Sequence, residues 1–280
     1  MDVQSFLAKY PPRGEESNKY TDGQTLLIGG SKGMAGAVCL NIYGAMTAGS
    51  RFITCAMDEA IYPIAASRFI STVFFPMNKE AYAEEIRKAL ERASAVSFGS
   101  GVDKLSYRKG ILDLLLSECK VPLLLDANAL RMVSDDLSIL KKAQCPLILT
   151  PHTGEFSALT SISTKDILKN PVEIGAEFAK KYGIYLVLKN HVTRVFSPTG
   201  EIYINDTGNR ALAQAGSGDV LNGIITGLVS ITKDPWNAAK MGVWLHGYLA
   251  DLSANAYSQH TFPLEVYPSL MNRFLLNNKR

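Results

Sequence analysis

The chain has 280 residues, 47% of them hydrophobic and 20% charged, which is enough apolar material for a large buried core. A formal net charge of +3 with no long Lys/Arg run gives no footing for nucleic acid or a membrane surface as partner. No apolar stretch is long enough to span a bilayer, and Met1-Asp2-Val3-Gln4-Ser5 lacks a secretory leader's basic and apolar parts, so a cytoplasmic protein is expected.

Residues 1–23 read as an irregular leader, marked most clearly by Pro11-Pro12-Arg13-Gly14. A strand over 25–30 then runs into Ser31-Lys32-Gly33-Met34 and a small-residue helix over about 35–48. That turn meets neither G-x-x-x-x-G-K-[ST] nor G-x-G-x-x-G, although it still lets a ligand approach backbone N–H groups. Strands over 52–57, 72–76, 94–98 and 121–125 alternate with helices over 58–67, 79–92 and 104–117. Cys39, Cys55, Cys119 and Cys145 lie far apart with no C-x-x-C pairing, and are expected as buried free thiols.

The runs Val121-Pro122-Leu123-Leu124-Leu125 and Cys145-Pro146-Leu147-Ile148-Leu149 are apolar without polar alternation, which suits parallel strands covered on both faces. The expected class is α/β, with a mostly parallel, doubly wound central sheet and helices on both faces, in a single domain over 1–280. Ligands bind such sheets beyond the carboxyl ends of the strands. Gly99-Ser100-Gly101, Asp126-Ala127-Asn128 and Thr150-Pro151-His152-Thr153-Gly154-Glu155 occupy those places.

His152 can contact a ligand there, or can only cap or pack the helix that follows. His246, inside an apolar helix, reads as structural; His191 and His260 fall in loops, and no zinc spacing connects them. After a helix over 171–182, a strand over 184–189 ends on Lys189, which either binds phosphate as a point charge or turns to solvent. A hairpin over 192–196 and 201–204 turns at Ser197-Pro198-Thr199-Gly200. Helices over 218–231, 236–256 and 262–276 close the chain, with Gly223 and Gly227 admitting a close neighbour.

Gln214-Ala215-Gly216-Ser217-Gly218-Asp219 organises the rest. Two glycines lead into a helix start whose free N–H groups and dipole suit a phosphate. Asp219 either complements that dipole or serves as a general base beside an anion hole of Gly216, Ser217 and Gly218.

Several stretches together resemble one family. Leu149-Thr150-Pro151-His152-Thr153-Gly154-Glu155-Phe156, Val187-Leu188-Lys189, Thr207-Gly208-Asn209, Gly216-Ser217-Gly218-Asp219-Val220-Leu221-Asn222-Gly223 and Leu245-His246-Gly247 resemble, in order, the NAD(P)H-hydrate dehydratases. These form the carbohydrate-kinase-like branch of the ribokinase-like superfamily, and the likeness runs over about residues 18–275. It implies a ribokinase-like fold and an enzyme that uses ADP or ATP to return hydrated NADH or NADPH to the working coenzyme. The ring hydroxyl is phosphorylated and phosphate is eliminated. Mg²⁺ is implied with the nucleotide, without a direct protein ligand.

By the same resemblance Asp219 is the base. Lys189, Asn190, His191, Val192, Thr193 and Gly218 contact the nucleotide, and Ala37, Gly101, His152 and Asp219 contact the coenzyme. Gly36, Asp126, Asn128, Glu155 and Asn209 are secondary candidates. A homo-oligomer, with a tetramer favoured, and a separate epimerase as functional partner are implied as well.

The chain departs from the family in places. Ser217 stands for a common Thr and keeps the hydroxyl, Asn190 follows Lys189 where Gly is usual, and Gly99-Ser100-Gly101-Val102-Asp103 lacks the Pro and later Gly common in that loop. Two other readings use the same turn: a ribokinase-like kinase of a sugar, hydroxymethylpyrimidine or thiazole alcohol, and an inactive nucleotide-binding protein.

Overall fold

The computed structural model describes residues 1–18, 23–103 and 106–279. In chain order it contains α1 (Val3–Lys9), β1 (Gln24–Ile28), α2 (Ala35–Thr47), β2 (Phe52–Asp58), α3 (Tyr62–Arg68), β3 (Val73–Met77), α4 (Tyr82–Leu90), β4 (Ala95–Phe98), α5 (Ser106–Glu118), β5 (Leu123–Leu125) and α6 (Asn128–Ser134). It continues through β6 (Leu147–Leu149), α7 (Thr153–Thr160), α8 (Thr164–Lys169), α9 (Pro171–Tyr182), β7 (Tyr185–Leu188), β8 (Arg194–Phe196), β9 (Ile202–Ile204), α10 (Ser217–Thr232), α11 (Pro235–Leu252) and α12 (Tyr267–Asn277). The described strands join one sheet in the order β3-β2-β1-β4-β5-β6-β7-β8-β9. Neighbours from β3 to β7 are parallel, and only the hairpin at the β7 edge is antiparallel.

Both faces of this sheet are covered, as the uninterrupted apolar runs require. Successive side chains point to opposite faces. Leu26 and Ile28 therefore join one core with α4 and α5, while Leu27 joins α2 and α3 on the other side. Leu123 and Leu125 follow Leu26, whereas Leu124 packs with α10 and α11.

Helices α2 and α10 touch at backbone distance. A Cβ on Gly44 would meet the Val220 carbonyl oxygen and one on Gly223 the Asn41 carbonyl oxygen, while one on Gly227 would lie 2.6 Å from Ala48 Cβ. Only residues without a Cβ let two helices cross so closely, which is the close approach expected at Gly223 and Gly227.

The leader over 1–23 is not irregular throughout. Asp2 caps α1 by accepting from the Ser5 N–H at 2.8 Å, and Phe6 is fully buried, stacked on Trp244 at 5.2 Å. A seven-residue helix shows too little periodicity to stand out, and this one is held by contacts far along the chain. Two further helices, α6 and α8, were not foreseen for the same reason. The last helix starts at Tyr267, not at 262, with Pro268 inside its first turn. The expected start of α5 at 104 lies outside the described residues. All four thiols are free, and Cys145 alone is only half-buried.

Candidate active site

Helix α10 begins at Gly216, whose φ of 92° is open to glycine but strained for other residues. The N–H groups of Ser217 and Val220 reach back to the Gln214 and Gly216 carbonyls at 3.4 and 3.1 Å, which leaves those of Gly218 and Asp219 to face a ligand. The three members of the expected anion hole differ in what they require. Gly216 is demanded by the fold, since a Cβ there would also strike Leu40. A Cβ on Gly218 meets only Lys189 Nζ, at an ordinary 3.5 Å, so the backbone tolerates a side chain that a ligand would not.

Strands β4, β5, β6 and β7 bring their carboxyl ends to this helix start, and a buried polar chain joins them. Lys189 Nζ donates to Asp126 Oδ1 at 2.8 Å, and Thr150 Oγ1 donates to the same oxygen at 2.8 Å. Thr150 also lies 3.1 Å from Asn222 Oδ1, while Asn222 Nδ2 donates to Ser100 Oγ at 3.3 Å. Ser100 in turn hydrogen-bonds Asp219. Asp219 keeps some accessible surface, yet protein atoms crowd it on most sides. Burial, which disfavours the charged form, pushes its carboxyl up to about 6; the Ser100 hydrogen bond opposes this, Asp126 reinforces it and Lys189 opposes it. Burial also works against the charge on Lys189, but Asp126 outweighs it and holds the ammonium above its ordinary value. A carboxylate poised near neutrality beside a fixed cation and two exposed N–H groups can take a proton while negative charge is held nearby.

A cavity of about 670 Å³ opens at this point. Lys189, Asn190, His191 and Thr193 form one side of its lining, and Asn209 and Gly218 contribute from the other. Val192 is the one residue of that segment not on the lining; its carbonyl accepts from Arg194 at 2.9 Å. On the other flank Gly101 faces Ala37, where a Cβ would come within 2.7 Å of the Ala37 Cβ, and Gly36 faces open space. Asp219 connects the flanks, through Gly218 to the cavity and through Ser100 to the Gly101 loop.

Three of the expected residues have structural work of their own. His152 caps α7: its Nδ1 accepts from the Gly154 and Glu155 N–H groups at 3.0 and 3.3 Å, and Glu155 accepts from the His152 N–H at 2.9 Å. Its ring nevertheless borders the cavity. Asn128 donates to the Val102 carbonyl and so ties the β4 and β5 loops together. Asn209 caps a short turn and donates to Asp251 at 2.9 Å.

Several functional neighbours escaped the sequence reading. Thr150 and Asn222 are fully buried polar residues in apolar runs, a signal available only after burial is known. Asp251 on α11 accepts from both Gly208 and Asn209. His246 is packed in α11, stacked on Tyr267 at 5.2 Å, yet it borders the cavity with Nε2 3.4 Å from Ser217 Oγ. Burial drops its imidazole to about 3, so it stays neutral.

The model of a family described as NAD(P)H-hydrate dehydratase matches residues 25–270. The chain is 32% identical over 273 residues to the ADP-dependent (S)-NAD(P)H-hydrate dehydratase of Bacillus subtilis, covering 95% of each. It is 33% identical to a bifunctional NAD(P)H-hydrate repair enzyme of Moorella thermoacetica, where it covers 90% of itself but 49% of that longer protein. The chain thus spans about half the length of such bifunctional relatives. Among solved structures, the ADP/ATP-dependent NAD(P)H-hydrate dehydratase of Bacillus subtilis, co-crystallized with ATP/Mg²⁺, superposes with a TM-score of 0.85 at 30% identity, covering 98% of this chain and 96% of that one. The fold is ribokinase-like. With the match spanning the sheet, the α10 turn and the Lys189 strand alike, the chain belongs to the NAD(P)H-hydrate dehydratase family.

Proposed function

We propose that this chain is an ADP- or ATP-dependent dehydratase that returns hydrated NADH or NADPH to the reduced coenzyme. The observation that carries the reading is the placement of Asp219. It sits in the first turn of α10, crowded by protein, next to the exposed N–H of Gly218 and within the field of Lys189. The nucleotide lies in the 670 Å³ cavity against Lys189, Asn190, His191 and Thr193. The hydrated nicotinamide ring comes from the side of Gly36, Ala37 and Gly101, near His152.

Asp219 then takes the proton of the ring hydroxyl as its oxygen attacks the terminal phosphorus. The new O–P bond forms as the bridging P–O bond breaks, giving AMP from ADP or ADP from ATP. The Gly218 and Asp219 N–H groups hold the transferring phosphoryl group. Loss of the neighbouring ring proton and departure of inorganic phosphate restore the double bond. Lys189, locked by Asp126, supplies fixed positive charge throughout.

Among the described residues no group of three or more His, Cys, Asp or Glu is arranged to hold a metal ion. Mg²⁺ therefore fits as an ion carried on the nucleotide's phosphate oxygens, where it neutralises their charge. We further propose a single ribokinase-like domain acting in the cytoplasm as a homo-oligomer, with a tetramer favoured. A separate epimerase would supply the reactive form of the substrate. No helix among the described residues is long and apolar enough to cross a membrane.

The test is a nucleotide-dependent assay that follows the return of dihydronicotinamide absorbance from hydrated NADH or NADPH. Asp219→Asn should lower turnover roughly 10²- to 10⁴-fold at saturating substrates. Near-wild-type turnover in that variant removes Asp219 from the chemistry.

A further inference from the structure

Ser100 follows β4 directly and is held on every side. Its carbonyl accepts from the Gly30 N–H at 2.8 Å, and a Cβ on Gly29 would collide with that carbonyl oxygen, so β1 and the Ser100 backbone are in close contact. The side chain is 2% exposed. Its Oγ accepts from Asn222 Nδ2 at 3.3 Å, and Asn222 is itself oriented by Thr150, whose hydroxyl lies 3.1 Å from Asn222 Oδ1 and 2.8 Å from Asp126 Oδ1.

A hydroxyl has one proton. With Asn222 donating to the Ser100 oxygen, that proton is free to point at Asp219, the other polar partner of this side chain. We propose that Ser100 is a positioning residue for Asp219, its hydroxyl backed by Asn222 and donating to the carboxylate so that the base stays ionised and aimed. The inference rests on the assignment of Asp219 as base. The donor stands in a loop lacking the Pro common in the family, and Pro carries no side-chain donor.

The groups that set the charge of Asp219 are few. Lys189 at the end of β7 favours the ionised form, and Asp126 after β5 opposes it; Glu155 on α7 acts on Lys189. His246 on α11, near Ser217, is neutral above about pH 3. Helix α2 and strands β1 and β4, all packed against α10, carry no Asp, Glu, Lys, Arg or His. The Ser100 hydroxyl is thus the uncharged contribution to the ionisation of Asp219, and its removal has a defined direction. Without the hydrogen bond the carboxylate is less favoured, and the carboxyl titrates higher.

The acidic limb of kcat/KM reports the free enzyme's essential base. It is to be measured from pH 4.5 to 9 with ATP and hydrated NADH on the full chain. Ser100→Ala should move that limb up by about one pH unit, the usual size for a hydrogen bond to a charged group. Ser100→Thr, which keeps the hydroxyl, should return it to the wild-type position. A limb within about 0.2 unit of wild type in Ser100→Ala, while Asp219→Asn is inactive, overturns the role of Ser100 and leaves the base assignment intact. A fall in the plateau alone, with the limb unmoved, overturns it too. An active Asp219→Asn overturns the base assignment itself, and the two failures are therefore told apart.

Discussion

Asp219 was open to two readings in the sequence, and the fold gives them opposite signs in a stability experiment. A carboxylate that only complements the α10 dipole stabilises the helix, so Asp219→Asn would lower the thermal midpoint by about 0.3 to 1 kcal/mol of stability. The observed surroundings push the carboxyl up to about 6, above the ordinary 3.8. A group raised in this way contributes stability below about 3.8, and that contribution is lost as pH rises through about 6. At pH 8 the ionised carboxylate is therefore a cost, and Asp219→Asn should raise stability by about 1 to 2 kcal/mol after allowance for its accessible side. The gain should vanish near pH 4. Calorimetry at the two pH values, beside turnover, checks this; a lowered midpoint at pH 8 restores the dipole reading. Gly218 permits a second test, because its open surroundings separate ligand from fold. Gly218→Val should cost roughly the ordinary Gly-to-Val helix difference in midpoint while nucleotide binding by calorimetric titration is lost. Normal binding in that variant removes Gly218 from the phosphate site.

At the scale of elements, α10 carries the site and α2 sets where α10 lies. Gly44 and Gly223 are in backbone contact across this crossing, so neither can gain a methyl group without moving a helix. A Cβ on Gly223 would lie 2.8 Å from Gly44 Cα and 2.9 Å from Ala45 N, atoms with no rotamer to yield. Gly223→Ala should therefore destabilise by about 1 to 3 kcal/mol and lower turnover, as the shifted helix takes Gly218 and Asp219 with it. Gly36→Ala, on the same α2 but facing open space, should instead raise stability by roughly 0.5 to 1 kcal/mol. Thermal midpoints and kcat of the two variants check the contrast; equal effects would mean the crossing is not tight. The apolar periodicity of α10 was legible in the sequence, as were Gly223 and Gly227 as close-approach positions. That Gly44 is the partner surface was not, because 179 positions separate it from Gly223 and no local pattern links them.

At the scale of the molecule, the parallel sheet ends on β3, an edge with apolar side chains still in solvent. Ile64 is 56% exposed, Ile70 95% and Val73 42%, all within one stretch of α3 and β3. Exposed edge strands invite pairing, and apolar residues gathered there favour burial against another surface. The proposed homo-oligomer accounts for them if this edge is covered by a second copy. Light scattering at micromolar concentration should give a multiple of 30.5 kDa, with four copies favoured, and Ile70→Glu should reduce it. A monomer in the wild type sinks the oligomer, and an unchanged mass in the variant moves the interface elsewhere.

The sequence by itself determined the class of fold, because parallel strands buried on both faces must be apolar throughout and the chain repeats such runs between helical ones. It also determined where the phosphate-binding turn lies, since a positive φ at Gly216 and a helix start at Ser217 are local properties of a few residues. What the tertiary structure decided is which groups meet there. Ser100, Asp126, Thr150, Lys189 and Asn222 come from four strand ends and a helix, and each is unremarked in its own neighbourhood. The ionisation of Asp219 depends on that assembly, because burial and through-space charge act over a few ångströms and are blind to separation along the chain. The same holds for α1, whose seven residues become a helix only because Trp244 and Phe274 wait at the other end of the sequence to cover Phe6.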